Sequence, residues 1–247
     1  MEMATLSPVC ILAGGRGSRL GDAVSVTPKP LLTVAGRPFL FHQLDLLKRH
    51  GAERVVLCIG YLGDQIRDAA GDGSNFGLDV RYSEDGPAPI GTAGAIRKAA
   101  PLLGERFMVL YGDTYLRIDY ADVDRAAVSS GLPALMTVLR NEGRWDASNV
   151  EFSDNRVLHY NKASPDPAMA YIDYGLSVLT QQALDCTDPA AADLADLFSS
   201  LAEGGLLAGY EASSRFYEIG SPTALSETSA FLAAEGRDNG EAVPHSG

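Results

Sequence analysis

A short apolar segment, Val9–Leu12, leads directly into a turn with glycines at positions 14, 15 and 17. The apolar residues are typical of a buried β-strand. Glycine has no Cβ, so the backbone N–H groups of such a turn can converge on an anion. The segment therefore predicts an anion-binding loop at the end of a buried strand.

Three cationic residues accompany this turn: Arg16, Arg19 and Lys29. Lys29 stands between two prolines, which restrict the backbone on either side of it. A strand, a glycine-rich turn and preset cations together predict a receptor for a polyphosphate.

Two better-known phosphate loops do not fit. A P-loop requires a lysine followed by a hydroxyl residue directly after its glycines, and this pair does not follow here. A dinucleotide-binding loop requires a third glycine or alanine where this chain has Leu20, and a helix that starts at once. Gly21, Thr27 and two prolines delay any helix until about Phe39.

Apolar runs alternate with amphipathic stretches through the first half of the chain. This alternation predicts an α/β fold with a doubly wound, mostly parallel sheet and helices on both faces. The predicted strands are Val55–Ile59, Leu78–Tyr82, Phe107–Tyr111 and Ala134–Leu139, and the predicted helices are Ile66–Ala70, Thr92–Ala100 and Val123–Ser129.

The pattern changes after Asn141. Three strands predict a small antiparallel insertion that closes over the first half, with a hairpin turn at Asp154–Asn155. Two helices then complete the domain, and the polar, glycine-containing end of the chain predicts a flexible tail. The strands are Val150–Phe152, Arg156–Tyr160 and Tyr171–Leu179, the helices are Leu194–Ala202 and Ala224–Ala234, and the polar end is Glu235–Gly247.

The fourth predicted strand ends in Tyr111, Gly112 and Asp113. Ligands of open α/β sheets bind at the carboxyl ends of strands, and a short Asp side chain there can hold a hard cation. The alternative is an Asp that only caps the following turn.

Composition limits the class of partner. The net charge is −12, which argues against binding to a nucleic-acid backbone. No apolar run is long enough to span a membrane, and the first residues lack the pattern of a signal peptide. Two of the three cysteines, Cys10 and Cys58, fall in predicted strands. We therefore expect a cytoplasmic protein with reduced thiols and no membrane partner.

The combined order G-G-x-G-x-R-L, P-K-P and G-x-P resembles the signature of the sugar-1-phosphate nucleotidylyltransferases. These enzymes make an NDP-sugar and pyrophosphate from an NTP and a sugar 1-phosphate. The resemblance runs from about Val9 to about Leu232. Within the family, the chain resembles in particular the short single-domain members, such as the heptose-1-phosphate guanylyltransferases and the muramate-1-phosphate uridylyltransferases.

The resemblance implies a Rossmann-like nucleotidyltransferase fold with a small antiparallel sugar-binding insertion. It implies one domain over residues 1–236, in which about 8–140 bind the nucleotide and about 141–220 bind the sugar phosphate. Residues 237–247 would form a flexible tail.

The resemblance also implies site residues and a Mg²⁺ cofactor. Those implied in catalysis are Arg19, Lys29, Asp113 and Lys162. Those implied in binding the NTP are Ala13, Gly14, Gly15, Gly17 and Gly94. Asn161 and Gly175 would contact the sugar phosphate, and Asp113 and Glu218 would hold the metal.

Two positions depart from the family pattern. Glu218, in Y-E-I-G-S-P, stands where relatives have Asp, and its extra methylene moves the carboxylate. Asn161 stands where many relatives have Glu, although Lys162 beside it is kept. The alternatives are a surface acid at Glu218 and a solvated hairpin lysine at Lys162.

Other assignments have structural alternatives. Gly94, in G-T-A-G-A-I, could belong to an ordinary glycine-rich helix start instead of a nucleoside site. Tyr160, Tyr171 and Tyr174 could form an apolar wall under a sugar ring or could be core residues.

The predicted reaction is attack by a sugar phosphate oxygen on the α-phosphorus of GTP or UTP. The resemblance favours a heptose 1-phosphate guanylyltransferase. The alternatives are a hexose or muramate 1-phosphate uridylyltransferase, an enzyme for another small phosphate such as phosphocholine, and a catalytically silent regulatory subunit on the same fold. The sequence leaves homo-oligomerisation open.

Overall fold

The structure is a computed structural model that describes residues 6–15, 17, 24, 26–145, 147–164 and 166–238. Arg16 and Arg19 lie outside the described residues. So does nearly all of the predicted tail, which stays a prediction. The last helix extends through Asp238, four residues further than predicted.

The strands and helices that the sequence predicted fall close to their predicted positions. The strands are β1 (Val9–Leu12), β2 (Thr33–Val34), β3 (Arg37–Pro38), β4 (Arg54–Ile59), β5 (Asp79–Glu84), β6 (Arg106–Tyr111), β7 (Thr114–Leu116), β8 (Ala134–Arg140), β9 (Val150–Ser153), β10 (Arg156–Tyr160), β11 (Tyr171–Thr180), β12 (Leu207–Glu211) and β13 (Phe216–Glu218). The helices are α1 (Phe39–Arg49), α2 (Gly63–Ala70), α3 (Gly91–Leu103), α4 (Tyr120–Ser130), α5 (Gln181–Asp185), α6 (Leu194–Glu203) and α7 (Pro222–Asp238). Of these elements, β2, β3, β7, β12, β13 and α5 were not predicted.

The first half of the chain forms the parallel part of the main sheet, in the order β5-β4-β1-β6. β1 lies between β4 and β6, and its residue Val9 pairs with Val55 on one side and Met108 on the other. β1 and β4 are apolar along almost their whole length because helices cover both faces of this region.

The second half continues the same sheet instead of closing over it as a separate insertion. β11 runs antiparallel between β6 and β8, and the order continues β8-β12-β10-β9. The reason is that β11 is ten residues long and buried on both faces, so it needs a paired neighbour on each edge. The predicted antiparallel hairpin is confirmed: Asp154 and Asn155 both have positive φ angles, as a two-residue type I′ turn requires.

Two apolar cores lie on opposite faces of the main sheet. Helices α1, α2, α4 and α7 pack on one face, and α3, α5 and α6 pack on the other. Successive residues of β1 alternate between them: Val9 and Ile11 enter the first core and Cys10 enters the second. This confirms the doubly wound α/β fold. None of the helices in the described ranges is long and apolar enough to cross a membrane.

The carboxyl ends of β1, β4, β5 and β6 meet at one edge of the sheet. There the N–H of Gly112 donates to the carbonyl of Leu12 over 3.0 Å. A Cβ at Gly112 would lie only 2.5 Å from that carbonyl oxygen. Glycine is therefore required where the chain leaves β6 beside the turn after β1.

We predict that Gly112→Ala lowers the free energy of unfolding by about 1–3 kcal/mol, because backbone atoms on both sides must move to relieve the contact. Urea denaturation measures this change. Gly236→Ala in α7 is the matched control, since a Cβ there has none of the described residues within 4 Å. Equal stability of the two variants would contradict the close approach.

Candidate active site

A cavity of about 390 Å³ opens at the edge of the sheet where these strands end. Its walls come from the glycine turn, from the segments after β5 and β6, and from the start of α3. The lining residues are Leu12, Ala13, Gly14, Gly15, Gly17, Lys29, Pro30, Cys58, Asp85, Pro89, Gly91, Thr92, Ala95, Tyr111, Gly112, Asp113, Asp193 and Gly220.

The glycine turn lies where the sequence predicted it. The N–H of Ala13 donates to the carbonyl of Cys58 over 2.9 Å, which holds the start of the turn to β4. A Cβ at Gly14 would lie 3.0 Å from Asp85 Oδ2, whereas a Cβ at Gly15 would have no neighbour within 4 Å among the described residues. Gly17 has a φ angle of +63°. The turn is therefore packed against Asp85 at Gly14, whereas none of the described residues covers it at Gly15.

Lys29 and Asp113 form an ion pair inside this cavity, with 2.6 Å between Nζ and Oδ2. The Lys29 side chain is 12% exposed and the Asp113 side chain 30% exposed. Lys29 begins a short 3₁₀ turn directly after Pro28. The sequence predicted both residues in the site but not their direct contact. Each charge offsets part of the desolvation of the other.

Glu218 is brought next to the Asp113 segment by a two-stranded sheet. Glu218 pairs with Thr114 across β13 and β7, and the N–H of Ile219 donates to the Asp113 carbonyl over 3.0 Å. The Glu218 carboxylate lies against Gly220, where a Cβ would be 2.7 Å from its Oε2. Since Gly220 lines the cavity, Glu218 stands at its border.

The residues present fit a Mg²⁺ ion that takes part of its coordination from a substrate. The described residues contain no cluster of three or more His, Cys, Asp or Glu side chains that could form a complete metal site. Mg²⁺ is often held by one or two carboxylates together with phosphate oxygens and water. Asp113 and Glu218 are the pair that such an ion would use here.

Asp85 is a cavity residue that the sequence analysis missed. Burial raises the pKa of its carboxyl group, and the Lys98 charge opposes that shift. None of the described residues donates a hydrogen bond to this carboxylate. The signal was its position directly after β5, because Asp113 also follows a strand of this sheet, two residues after the end of β6.

The start of α3 is joined to the segment before α6. Gly91 has a φ angle of +76°, and a Cβ there would lie 2.3 Å from the Ala192 carbonyl oxygen. Thr92 Oγ1 accepts from the N–H of Leu194 over 2.7 Å. Gly91 and Thr92 line the cavity, whereas Gly94 packs beside Ile90, so a role for Gly94 at the nucleotide stays a prediction.

The predicted sugar phosphate residues lie after β10 and on β11. Lys162 is exposed in the loop that follows β10. The Asn161 side chain accepts hydrogen bonds from the N–H groups of Ala163 and Ser164 through Oδ1, over 3.1 and 2.8 Å. Gly175 has a φ angle of +104° and lies beside Thr114.

Asp173 is a second site residue that was not predicted from the sequence. It lies on β11, two residues before Gly175. Its Oδ1 accepts from the N–H of Gly175 over 2.9 Å, and the Tyr111 hydroxyl lies 3.4 Å from its Oδ2. Burial raises the pKa of this carboxyl group, while the Gly175 hydrogen bond and the Lys162 charge lower it. The sequence signal for this residue was a carboxylate within a predicted strand that is otherwise mostly apolar.

The three tyrosines of this region are core residues. Tyr160 packs edge-on against Phe198, Tyr171 against Phe152, and Tyr174 against Phe216. All three are at most 7% exposed. The core alternative therefore describes them, and they do not form a wall that a sugar ring could reach.

Comparison with known proteins places this site in a family. Residues 9–235 match the family described as Nucleotidyl transferase. The chain belongs to this nucleotidyl transferase family. The matched segment contains the glycine turn, Lys29, Asp113, Lys162 and Glu218.

Two relatives illustrate the similarity. The chain is 43% identical over 120 residues to the N-acetylmuramate alpha-1-phosphate uridylyltransferase of Neisseria meningitidis serogroup B, covering 48% of this chain and 52% of that protein. It is 34% identical over 109 residues to the D-glycero-alpha-D-manno-heptose 1-phosphate guanylyltransferase of Campylobacter jejuni, covering 44% and 48%. The chain thus spans about half the length of these relatives.

A solved structure shows the same fold. It is described as a glucose-1-phosphate thymidylyltransferase from Bacillus anthracis in complex with sucrose. The two chains superpose with a TM-score of 0.81 at 21% sequence identity, over 92% of this chain and 95% of that one.

We predict that Asp173→Asn changes how stability depends on pH. Because burial raises the pKa of Asp173 above its ordinary 3.8, the folded chain binds this proton more tightly than the unfolded chain. Stability from this group is therefore lost as pH rises from 3.8 through the raised value. The variant should lose less stability than the parent between about pH 4 and pH 7.

Urea denaturation across this pH range measures the difference. Asp154→Asn, at an exposed carboxylate of the β9–β10 hairpin, is the matched control and should keep the parent's pH dependence. An Asp173→Asn variant with the parent's pH dependence would contradict the assignment.

Proposed function

We propose that this protein is a sugar-1-phosphate nucleotidylyltransferase, which joins an NTP and a sugar 1-phosphate to give an NDP-sugar and pyrophosphate. The observation that carries the proposal is the Lys29–Asp113 ion pair inside a cavity bordered by a glycine turn. A cation and a carboxylate at one wall suit a phosphate chain and its metal ion. Lys162 supplies a second cation from the other half of the sheet.

The reaction needs no general base. A phosphate oxygen of the sugar 1-phosphate is already an anion, and it attacks the α-phosphorus of the NTP as the bond to the leaving pyrophosphate breaks. Both reactants carry negative charge, so the protein contributes mainly by positioning them and by neutralising charge.

The chain's own groups divide this work. Lys29 is held at the phosphate end of the cavity by Asp113, where it neutralises the NTP phosphates. The open side of Gly15 leaves room for a phosphate beside the backbone. Mg²⁺, when bound by Asp113 and Glu218, would neutralise further phosphate charge. Lys162 would hold the phosphate of the sugar.

The position of Asp85 supports guanine as the base. Guanine presents two adjacent donors, N1–H and the 2-amino group, which a carboxylate can accept together. Uracil has one N–H between two carbonyl oxygens, and both of these would face the same negative charge. Asp85 receives no hydrogen bond from the described residues, so its acceptors are available in the cavity.

With guanine as the base, and with the heptose taken from the resemblance of the sequence to the short heptose 1-phosphate enzymes, the proposed reaction is that of a heptose 1-phosphate guanylyltransferase. The Campylobacter relative carries that name, whereas the Neisseria relative, at higher identity, is a muramate-phosphate uridylyltransferase. The uridylyl reaction is accordingly the second candidate.

The test of the proposed activity is pyrophosphate release. The parent protein should release pyrophosphate from GTP with Mg²⁺ and a heptose or hexose 1-phosphate. Asp113→Asn should reduce kcat by at least about 10²–10³ because it removes a preorganised charge, while the protein stays folded. Asp185→Asn, at an exposed carboxylate of α5, is the control and should keep the parental rate.

Two results would oppose this proposal. Asp113→Asn activity within a few-fold of the parent would remove Asp113 from the site. No turnover by the parent with any NTP and sugar 1-phosphate would favour the silent regulatory subunit.

The choice of base has a separate test. We predict a higher kcat/KM for GTP than for UTP, and a loss of about tenfold or more for GTP, about 1.4 kcal/mol, in Asp85→Asn. An amide offers one acceptor, so one guanine donor loses its partner. Competition between the two nucleotides with one sugar phosphate measures both values. A preference of the parent for UTP above about tenfold would select the uridylyl reaction.

A further inference from the structure

We propose that Asp173 is a specificity-determining residue for the sugar, and that its carboxylate accepts a hydrogen bond from a sugar hydroxyl group while Lys162 holds the phosphate. This inference rests on the proposed function. It goes further by naming the group that would select among sugar 1-phosphates.

Asp173 lies directly behind the wall of the cavity. The Tyr111 hydroxyl is 3.4 Å from Asp173 Oδ2, and Tyr111 itself lines the cavity at the end of β6. Asp173 is the third residue of the long strand β11, and it is partly exposed although most of this strand is buried. Tyr111 thus lies between Asp173 and the cavity in which the nucleotide phosphates would bind. Asp173 is still partly accessible to solvent.

Asn149 fixes Asp173 relative to the loop that carries Lys162. The Asn149 side-chain oxygen accepts from the N–H of Asp173 over 3.0 Å. The Asn149 backbone carbonyl accepts from the N–H of Asn161, also over 3.0 Å. Asn149 therefore connects Asp173 with the segment before Lys162. A substrate that contacts both Asp173 and Lys162 would find these two residues already positioned relative to each other.

The carboxylate of Asp173 has unused acceptor capacity. A carboxylate offers about four acceptor positions. The N–H of Gly175 takes one at 2.9 Å, and the Tyr111 contact is long for a hydrogen bond between oxygens. Asn161, by contrast, uses its side-chain oxygen for two hydrogen bonds within its own loop. Of these two side chains, Asp173 has the free acceptors.

A buried polar group near Asp173 lacks a hydrogen-bond partner among the described residues. The Tyr160 hydroxyl is fully buried and has no hydrogen bond with the described residues. Burial raises the pKa of Tyr160, and the negative charge of Asp173 raises it further.

The strand is irregular at this point. The pairing of β11 with β8 shifts register between Asp173 and Ser177, and Gly175 lies inside this shift with a φ angle of +104°. Such irregularities re-aim side chains and often occur beside active sites. Here the shift lies where β11 passes Thr114, the residue that follows Asp113.

The decisive experiment compares Asp173→Asn with the parent at saturating NTP. Asparagine keeps an acceptor for Gly175 but offers a weaker, uncharged acceptor to the substrate. KM for the sugar 1-phosphate should rise by about tenfold or more, while kcat and KM for the NTP change by no more than about threefold. Asp154→Asn, in the exposed hairpin, is the control and should leave all three values unchanged.

Deoxy analogues of the accepted sugar 1-phosphate supply a second measurement. The parent should lose about tenfold or more in kcat/KM when one particular hydroxyl is removed, and Asp173→Asn should lose much less with that same analogue. This measurement on the parent also stands if Asp173→Asn fails to fold. Equal losses in both proteins, or no loss in the parent with any deoxy analogue, would overturn the assignment.

The failure of this inference can be distinguished from the failure of the proposed function. A parent that turns over a sugar 1-phosphate, with an unchanged KM in Asp173→Asn, overturns only the role of Asp173. A parent without turnover on any sugar 1-phosphate overturns both. An equal rise in KM for the NTP and the sugar phosphate would show a structural role and would also overturn the inference.

Discussion

The close backbone contact between β1 and β6 determines where every other part of the site lies. Gly112 allows the chain to leave β6 within hydrogen-bonding distance of Leu12. Asp113 is thereby brought beside the glycine turn, and from there it reaches Lys29. The second sheet, β7 with β13, adds Glu218 to the same edge. One missing Cβ thus places two carboxylates and a cation around a single cavity.

One pair of opposite charges is already formed in this cavity before any ligand is considered. Lys29 and Asp113 neutralise each other at 2.6 Å, in a chain whose net charge is −12. A polyphosphate with its metal ion offers a new partner to each of them. Binding would therefore exchange one ion pair for two others, and it would not require the protein to bury an unpaired charge.

Local pattern predicted most of the fold and part of the site. The alternation of apolar runs predicted β1, β4 and α3, and the residues Asp154–Asn155 predicted a hairpin turn. Both predictions succeeded because these features depend on residues that are neighbours in the sequence. The central place of β11 and the Lys29–Asp113 contact depend on residues far apart in the chain, which no local pattern reports. Asp85 could have been predicted, because it follows a strand at the edge where ligands of open α/β sheets bind. The hydrogen bonds of the Asn161 side chain within its own loop could not be predicted from the sequence.

The position of β11 also has a consequence for how the chain is made. β6 pairs with β1 on one side, but its other edge is covered only by residues 171–180, which are synthesised much later. At ~5–20 residues per second, that edge waits for several seconds or more on the ribosome. An unpaired apolar strand edge is a template for pairing with other chains. The emerging protein is therefore most exposed to aggregation after its first half has folded and before β11 has left the ribosome.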